Sequence, residues 1–342
     1  VQYKVYFTPR SALNAYGTEI EVSAHIITTS NMKKSIDAAD YDIGVFYYGD
    51  VKIRVDNYNG KFSDQYDSRT LFPYGRDLAK VRVSYNDKDG ETTVFNGLID
   101  DKATKINFEK EEISLVCPSN DSVLRTLRVA ADTIDNGITA QDAFKALLNK
   151  TDITSVLTYD AALINPSSNI TIDDGSKFDN IPTRDAISKL LIATNSVFII
   201  TKDNEMKVSA RDFNDTISSA FYGPFSKRSN QNILSLKKYN DGKQRQFTVV
   251  KVGDQTSIET NYLEDYGYRQ KTIDKLNFIT TDATELVIAK ALSNEFKFPK
   301  IECEVELKTS FAKTLNLLDP VKVDYPLRLV PDVKFMPVIG ST

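Results

Sequence analysis

The feature that most constrains this chain is a strict two-residue alternation in short runs. Val51, Ile53 and Val55 share one side of a run whose other side is Lys52 and Arg54. Lys80–Tyr85 repeats the pattern, and Thr92–Ile99 follows it across the turn-forming stretch Asn86–Gly90. Successive side chains of an extended chain point to opposite faces, so the pattern buries one face and wets the other. A helix would spread the same residues around its whole surface. Two such runs joined through Asp89-Gly90 predict a hairpin, because glycine takes the positive φ that tight turns demand. Glu112–Cys117 adds another strand. Strands of this length and spacing predict a barrel or a sandwich. The 17 Tyr and 18 Phe, with no Trp, suit pleated, half-buried surfaces.

The middle of the chain changes period. Thr139–Asp142 has capping-box form, and Phe144, Leu147 and Leu148 follow at helical spacing. A second helix starts near Pro182, a residue suited to a first helical turn, and carries Ile187, Leu190 and Leu191 on one face. It leads into Val197–Ile200, a turn at Lys202–Asn204, and Met206–Val208. From Phe213 to Ser229 the chain is polar and punctuated by Gly and Pro, and reads as a crossing linker. Strands resume at Asn232–Leu236, Gln246–Val252 and Ile301–Leu307. The last sets Ile301, Cys303, Val305 and Leu307 against Glu302, Glu304 and Glu306. Between them Thr281 is the expected cap of a helix, with Asp282 at its positive end and Ile288, Ala291, Leu292 and Phe296 as its apolar stripe.

These segments predict a mainly β fold with an α+β insert: two β-barrel-like modules plus small α/β domains. The expected division is a first barrel at 1–128, the insert at 129–212, a linker at 213–230, and a second barrel at 231–342 with one helix at 281–297. Met336–Ile339 reads as a strand cut short, so the second barrel is expected to be incomplete at its C terminus. The chain starts at Val1 rather than Met, which is expected of a processed or trimmed end. Its 342 residues fit two to three domains at roughly 150 residues each. No short fixed repeat is present.

Residue chemistry excludes much. His25 is the single histidine, which removes multi-histidine metal sites and the HExxH helix. It also makes His25 the one imidazole that could serve a nucleophilic triad, yet it lies in the strand-like run Glu21–Ile27, where a structural role is expected. Neither GxxxxGK[ST] nor GxGxxG occurs among the 14 glycines. Paired acids at Asp100-Asp101, Glu111-Glu112 and Asp173-Asp174 are the candidates for hydrolytic acid/base work, and each reads as a solvated turn or strand end. Asp87–Gly90 resembles part of a calcium loop, but Asn96 stands where the ligating Glu belongs. The sequons at Asn169 and Asn214 follow no secretory signal. Cys117 and Cys303 lie far apart and read as buried thiols. The expectation is no catalytic, cofactor or metal site.

A net charge of −4 argues against a basic nucleic-acid face. No apolar run reaches the roughly 18 to 20 residues of a membrane helix. Aromatic stretches at Tyr47-Tyr48, Phe72–Tyr74 and Tyr262–Tyr268 are candidates for contact with sugar or protein. Three readings stay open at this level: a structural ring component, a receptor- or carbohydrate-binding adhesin, and a cell-wall hydrolase using paired carboxylates.

A resemblance favours the first. Tyr41–Phe46, Val51–Phe62, Thr70–Phe72, Gly75-Arg76, Lys80–Tyr85, Phe95–Asp100 and Leu124–Leu127 follow in an order that resembles the first barrel of phage tail hub proteins. That family includes baseplate hubs of contractile tails and tail-tip hubs of long flexible tails, and type VI secretion spikes share its architecture. The helices ending at Leu147-Leu148 and carrying Leu190-Leu191, with the hairpin Val197–Val208, look like the family's inserted domain. Leu317–Val323 is similar to part of its second barrel. The resemblance implies a homotrimer whose two barrels per copy form a pseudo-sixfold ring, adapting a sixfold tube to a threefold tip. It implies as partners a distal tail or tail tube ring, the tape-measure protein, and a tail spike or fibre. It implies a virion protein at the tail tip, assembled in the host cytoplasm, with DNA passing through a channel without specific binding. Some hubs carry a peptidoglycan-cleaving domain, and no such domain is read here.

Overall fold

The computed structural model describes residues 2–12, 15–30, 33–36, 47–63, 69–88, 90–201, 203–210, 219–222, 232–240, 246–274, 276–297, 302–308, 315, 320–324, 336–337 and 340–341. Strand outweighs helix, 39% to 25%, as the alternation predicts.

Two antiparallel sheets enclose the first core. One runs in the order Ile20–Glu21, Gln2–Thr8, Lys80–Asp87, Gly90–Leu98. The other runs Asp100–Asn107, Glu112–Pro118, Tyr47–Asp56, Lys33–Ile36, Gly340–Ser341, with Ile26–Thr29 also on Tyr47–Asp56. The expected hairpin is present: Asp87 pairs with Gly90, whose φ of 112° fits glycine. Val51, Ile53 and Val55 are fully buried, with Ile113, Leu115 and Cys117 beside them and Val5, Phe7, Val81 and Phe95 facing them. The rings of Phe62 and Phe72 close on Phe7 at 5.9 and 6.0 Å. The chain steps from one sheet to the other at Ile99, and a bridge from Gly97 to Ser119 ties the sheets along that seam. A Cβ at Gly97 would stand 2.4 Å from the Pro118 carbonyl oxygen, so the close approach requires glycine. The sheet pair is therefore barrel-like at this side.

The insert packs the helices Ala140–Leu148 and Thr183–Thr194 with the hairpin Ser196–Ile200 and Met206–Ala210. Thr139 caps the first helix as predicted: its Oγ1 accepts the Asp142 amide at 3.2 Å and its hydroxyl donates to Asp142 Oδ2 at 2.7 Å. Pro182 precedes the second helix rather than sitting inside it, and Asn195, at φ 48°, ends it in the left-handed conformation. Phe144, Leu147, Leu148, Ile187, Leu190 and Leu191 are all fully buried.

In the last third, Val249–Val252 is flanked by Gln255–Ile258 antiparallel and Gln270–Ile273 parallel. The helix Asp282–Phe296 packs on this sheet. Its buried positions are Glu285, Ile288, Ala289, Leu292, Ser293 and Phe296, so the buried stripe runs through Ala289 where the sequence reading put Ala291. Thr281 holds the cap position, but its hydroxyl meets Thr284 Oγ1 at 2.7 Å and bonds no helix amide. Ile233–Asn240 pairs with Glu302–Leu307, where Glu304 and Glu306 are exposed and Val305 and Leu307 half-buried, matching the predicted alternation. The Cys303 side chain lies outside the described residues. Within the segment read as a linker, Ser219–Tyr222 forms a strand parallel to Pro320–Asp324. Met336-Pro337 pairs with Pro320–Asp324, and Gly340-Ser341 joins the first module's sheet against Lys33–Ile36.

The buried residues of the insert and of 250–296 form one continuous cluster. Phe178 meets Phe278 at 4.8 Å, and Asp173 accepts the Thr280 amide and hydroxyl at 2.6 and 3.0 Å. Leu98 of the first module also belongs to this cluster, with Tyr16 and Leu78 packed on it.

Candidate functional site

The paired acids come apart into separate structural tasks. Asp100 accepts the amides of Lys102 and Ala103 at a bulge, and Asp101 pairs with the buried Arg76 at 2.9 Å. Glu111 occupies a turn at φ 51°, while Glu112 faces Arg54 at 3.7 Å. Asp173 holds Thr280, whereas Asp174 caps the 3-10 turn Gly175–Phe178 and pairs with Lys177 at 3.4 Å. The Ser176 hydrogen bond, with Lys177, lowers the Asp174 carboxyl below its usual range. Among the described residues no three His, Cys, Asp or Glu side chains converge into a metal-sized cluster. His25 lies in the 3-10 turn Ser23–His25 rather than in a strand; its Nε2 is 3.1 Å from Lys61 Nζ and its ring stands edge-on to Phe62. Burial drives the Cys117 thiol far up, which keeps it protonated and inert.

The aromatic stretches divide differently. Phe72 is core, while Tyr74 is half exposed beside it. Of the third stretch, Tyr262 stacks on Tyr266 at 6.3 Å, on a helix, Thr260–Tyr266, that buries none of its residues; Tyr268 is 67% exposed. The side chains of Tyr47 and Tyr48 lie outside the described residues. The most exposed aromatics outside these stretches, among the described residues, are Phe108 and Tyr58. Phe108 and Tyr58 are 84% and 79% exposed on neighbouring turns, joined by the Asn57 amide on the Glu111 carbonyl. Each sits alone in a polar turn, so no periodicity marked it.

The most unusual polar site is the joint between first module and insert. Ser119, Asn120 and Asp121 are all buried. The Ser119 hydroxyl donates to Asp121 Oδ1, and Arg125 Nη2 stands 3.7 Å from Oδ2. Burial pushes the Asp121 carboxyl up to about 6 against the pull of Ser119, Arg125 and Arg184. Nearby, Lys80 donates to the Ser155 carbonyl at 2.7 Å and covers the Tyr16 ring at 4.0 Å, and burial lowers its pKa. The sequence shows Ser119–Asp121 as an ordinary turn, and no local signal reveals its burial. The site ties the Gly49 carbonyl, through the Ser119 amide, to Asn204 of the hairpin, through the Asn120 side chain.

No protein-family model matches the chain, and no curated protein matches it. Solved structures do. A tail protein from Neisseria meningitidis MC58 aligns with 99% of this chain and 91% of its own length at TM-score 0.61 and 12% identity. The 43 kDa tail protein of prophage MuSo2 from Shewanella oneidensis aligns over 99% and 92% at TM-score 0.57 and 10% identity. A chain of the Francisella PdpA–VgrG complex, half-lidded, matches 99% of this chain with 53% of its own at TM-score 0.52 and 11% identity. The chain has the fold of phage tail proteins, mainly β with few helices. No helix among the described residues is long and apolar enough to cross a membrane.

Proposed function

We propose that this chain is a structural hub protein of a phage tail tip or baseplate and performs no catalysis. The observation that carries the reading is the likeness to two tail proteins along 99% of this chain and more than nine-tenths of each of theirs. The chain assembles as a homotrimer in the virion tail tip. Its division at 1–128, 129–212, 213–230 and 231–342 supplies two barrels per copy to a pseudo-sixfold ring that closes the tail tube and adapts it to a threefold tip. A distal tail or tube ring, the tape-measure protein and a spike or fibre are its partners. DNA leaves through the channel without specific binding, and a mildly acidic lining, in keeping with the net charge of −4, repels its phosphates. The structural tasks found for Asp100, Asp101, Glu112, Asp173 and Asp174 favour this over hydrolysis.

Mass measurement of the purified chain, with imaging of tail tips, tests the reading. Three copies in a threefold ring are expected. An isolated monomer with sugar affinity would instead make it an adhesin, an outcome the exposed Tyr58, Phe108 and Tyr268 keep in view. Cell-wall turnover lost on neutralising Asp173 and Asp174 would make it a hydrolase.

A further inference from the structure

The joint between the first barrel and the insert rests on three consecutive polar residues that are almost wholly out of water. Ser119 is 0%, Asn120 3% and Asp121 1% exposed. Toward the barrel, Ser119 bridges Gly97 across the seam and its amide donates to the Gly49 carbonyl at 2.7 Å. Toward the insert, Asn120 Nδ2 donates to Asn204 Oδ1 at 2.8 Å. Asn204 sits at φ 67° in the turn of the 196–210 hairpin, and its own Nδ2 donates to the Val156 carbonyl at 2.9 Å.

The oxygen inventory of this joint is unbalanced. Asp121 Oδ1 receives the Ser119 hydroxyl. Asn120 Oδ1 and Asp121 Oδ2 are both buried without a hydrogen-bond partner. Two neighbouring buried acceptors without a hydrogen bond are costly, even with Arg125 Nη2 in ion-pair range of Oδ2 at 3.7 Å. A proton on Asp121 Oδ2 turns one acceptor into a donor and removes a buried charge. The charged groups that act on this carboxyl are Arg125 from its own short helix and Arg184 from the first turn of Thr183–Thr194. The hairpin contributes the neutral Asn204, and the barrel side the Ser119 hydroxyl and backbone.

We infer that Asp121 is a proton-operated latch: protonated, it holds the first barrel against the insert, and ionised, it loosens that joint. Burial is the largest influence on the carboxyl, raising it from 3.8 to about 6. The closed joint therefore keeps its proton to higher pH than an opened, hydrated one. Its advantage is complete below 3.8, falls between 3.8 and about 6, and is level above. That displacement corresponds to about a hundredfold rise in the local opening equilibrium.

Hydrogen exchange of the full chain from pH 4 to 8, corrected for the intrinsic chemical rate, reads this directly. Peptides covering 119–127 and 201–206 are expected to lose about a hundredfold of protection between pH 4 and 6 and then to level off. Peptides of the first core, such as 51–55, are expected to stay flat. Asp121→Asn keeps an acceptor for Ser119 but cannot ionise, so its profile should be flat. Arg184→Gln removes a cation that favours the carboxylate, so the falling limb should extend to higher pH. A wild-type profile that is flat, or that falls equally in the first core, overturns the latch without need of either variant.

Discussion

Removing the Phe278 ring tests whether the insert and the last third form one cooperative body. Phe278 and Phe178 are both fully buried, with centroids 4.8 Å apart and planes at 49°. They lie in one continuous cluster that also contains Phe144, Leu147, Leu190, Ile288 and Leu292. Truncating a buried Phe to Ala costs about 3–5 kcal/mol through lost transfer energy and a residual cavity. The ring pair itself adds about 0.5–1.5 kcal/mol beyond area. Phe178→Ala and Phe278→Ala open overlapping cavities, so the double variant should lose about 1–2 kcal/mol less than the two singles together. The assay is urea unfolding followed by hydrogen exchange at peptides 140–148 and 288–296, because one global signal misleads when a chain holds several cores. A shared core predicts that Phe278→Ala lowers the midpoint of both peptides together. If 288–296 weakens while 140–148 keeps its wild-type midpoint, the cluster is two cores in contact and the reasoning fails.

Other perturbations have defined outcomes. Gly97→Ala places a Cβ 2.4 Å from the Pro118 carbonyl and 2.6 Å from the Phe95 ring, and should cost about 1–3 kcal/mol in denaturant melts; an unchanged midpoint would deny the tight seam. Glu91 accepts from Arg82, Ser84 and Tyr6, and chiefly the Arg82 hydrogen bond lowers its pKa from 4.5 to about 2. Its stabilisation is present above 4.5 and lost as pH falls toward 2, so the wild type should exceed Glu91→Gln in urea midpoint at pH 7 and match it at pH 2. The side chain is 31% exposed, so added salt should shrink the difference at pH 7. Cys117, fully buried with its thiol held protonated, should resist alkylation in the native protein and react after unfolding, as peptide mass mapping would read; rapid native labelling contradicts the packing of the first core.

Much of the fold was legible. The alternation at Val51–Val55 names the three residues that become fully buried, and the Asp-Gly turn names the hairpin. The Thr139 capping box and the Leu190-Leu191 face appear where the helical period puts them. The misplacement of Ala291 has a physical cause. A charged residue is normally excluded from an apolar stripe, so hydrophobicity alone does not mark Glu285 as part of the buried face. In the fold Glu285 is 1% exposed, its carboxylate over Gly253 and near the Asp254 amide, where a Cβ on residue 253 would stand 2.5 Å away. The buried face then runs 285, 288, 289, 292, 293, 296. The acid pairs read as solvated turn or strand-end acids, but Asp100, Asp101 and Glu112 lie half-buried in strands and Asp101 pairs with the buried Arg76, and the sequence signals neither this nor the buried Ser119–Asp121 joint.

The sequence by itself determined the inward face of strands such as Val51–Val55 and of the helices Ala140–Leu148 and Thr183–Thr194, the tight Asp-Gly turn, and which chemistries the single histidine forbids. These follow from side-chain geometry within a few residues. Tertiary structure alone decided the pairings between distant segments. Ser219–Tyr222 becomes a strand because Pro320–Asp324 lies beside it in parallel, and Gly340-Ser341 because Lys33–Ile36 offers an edge. It also decided that Asp121 is buried and Tyr58 and Phe108 are exposed, since burial depends on what the rest of the chain brings to a residue rather than on its neighbours in sequence.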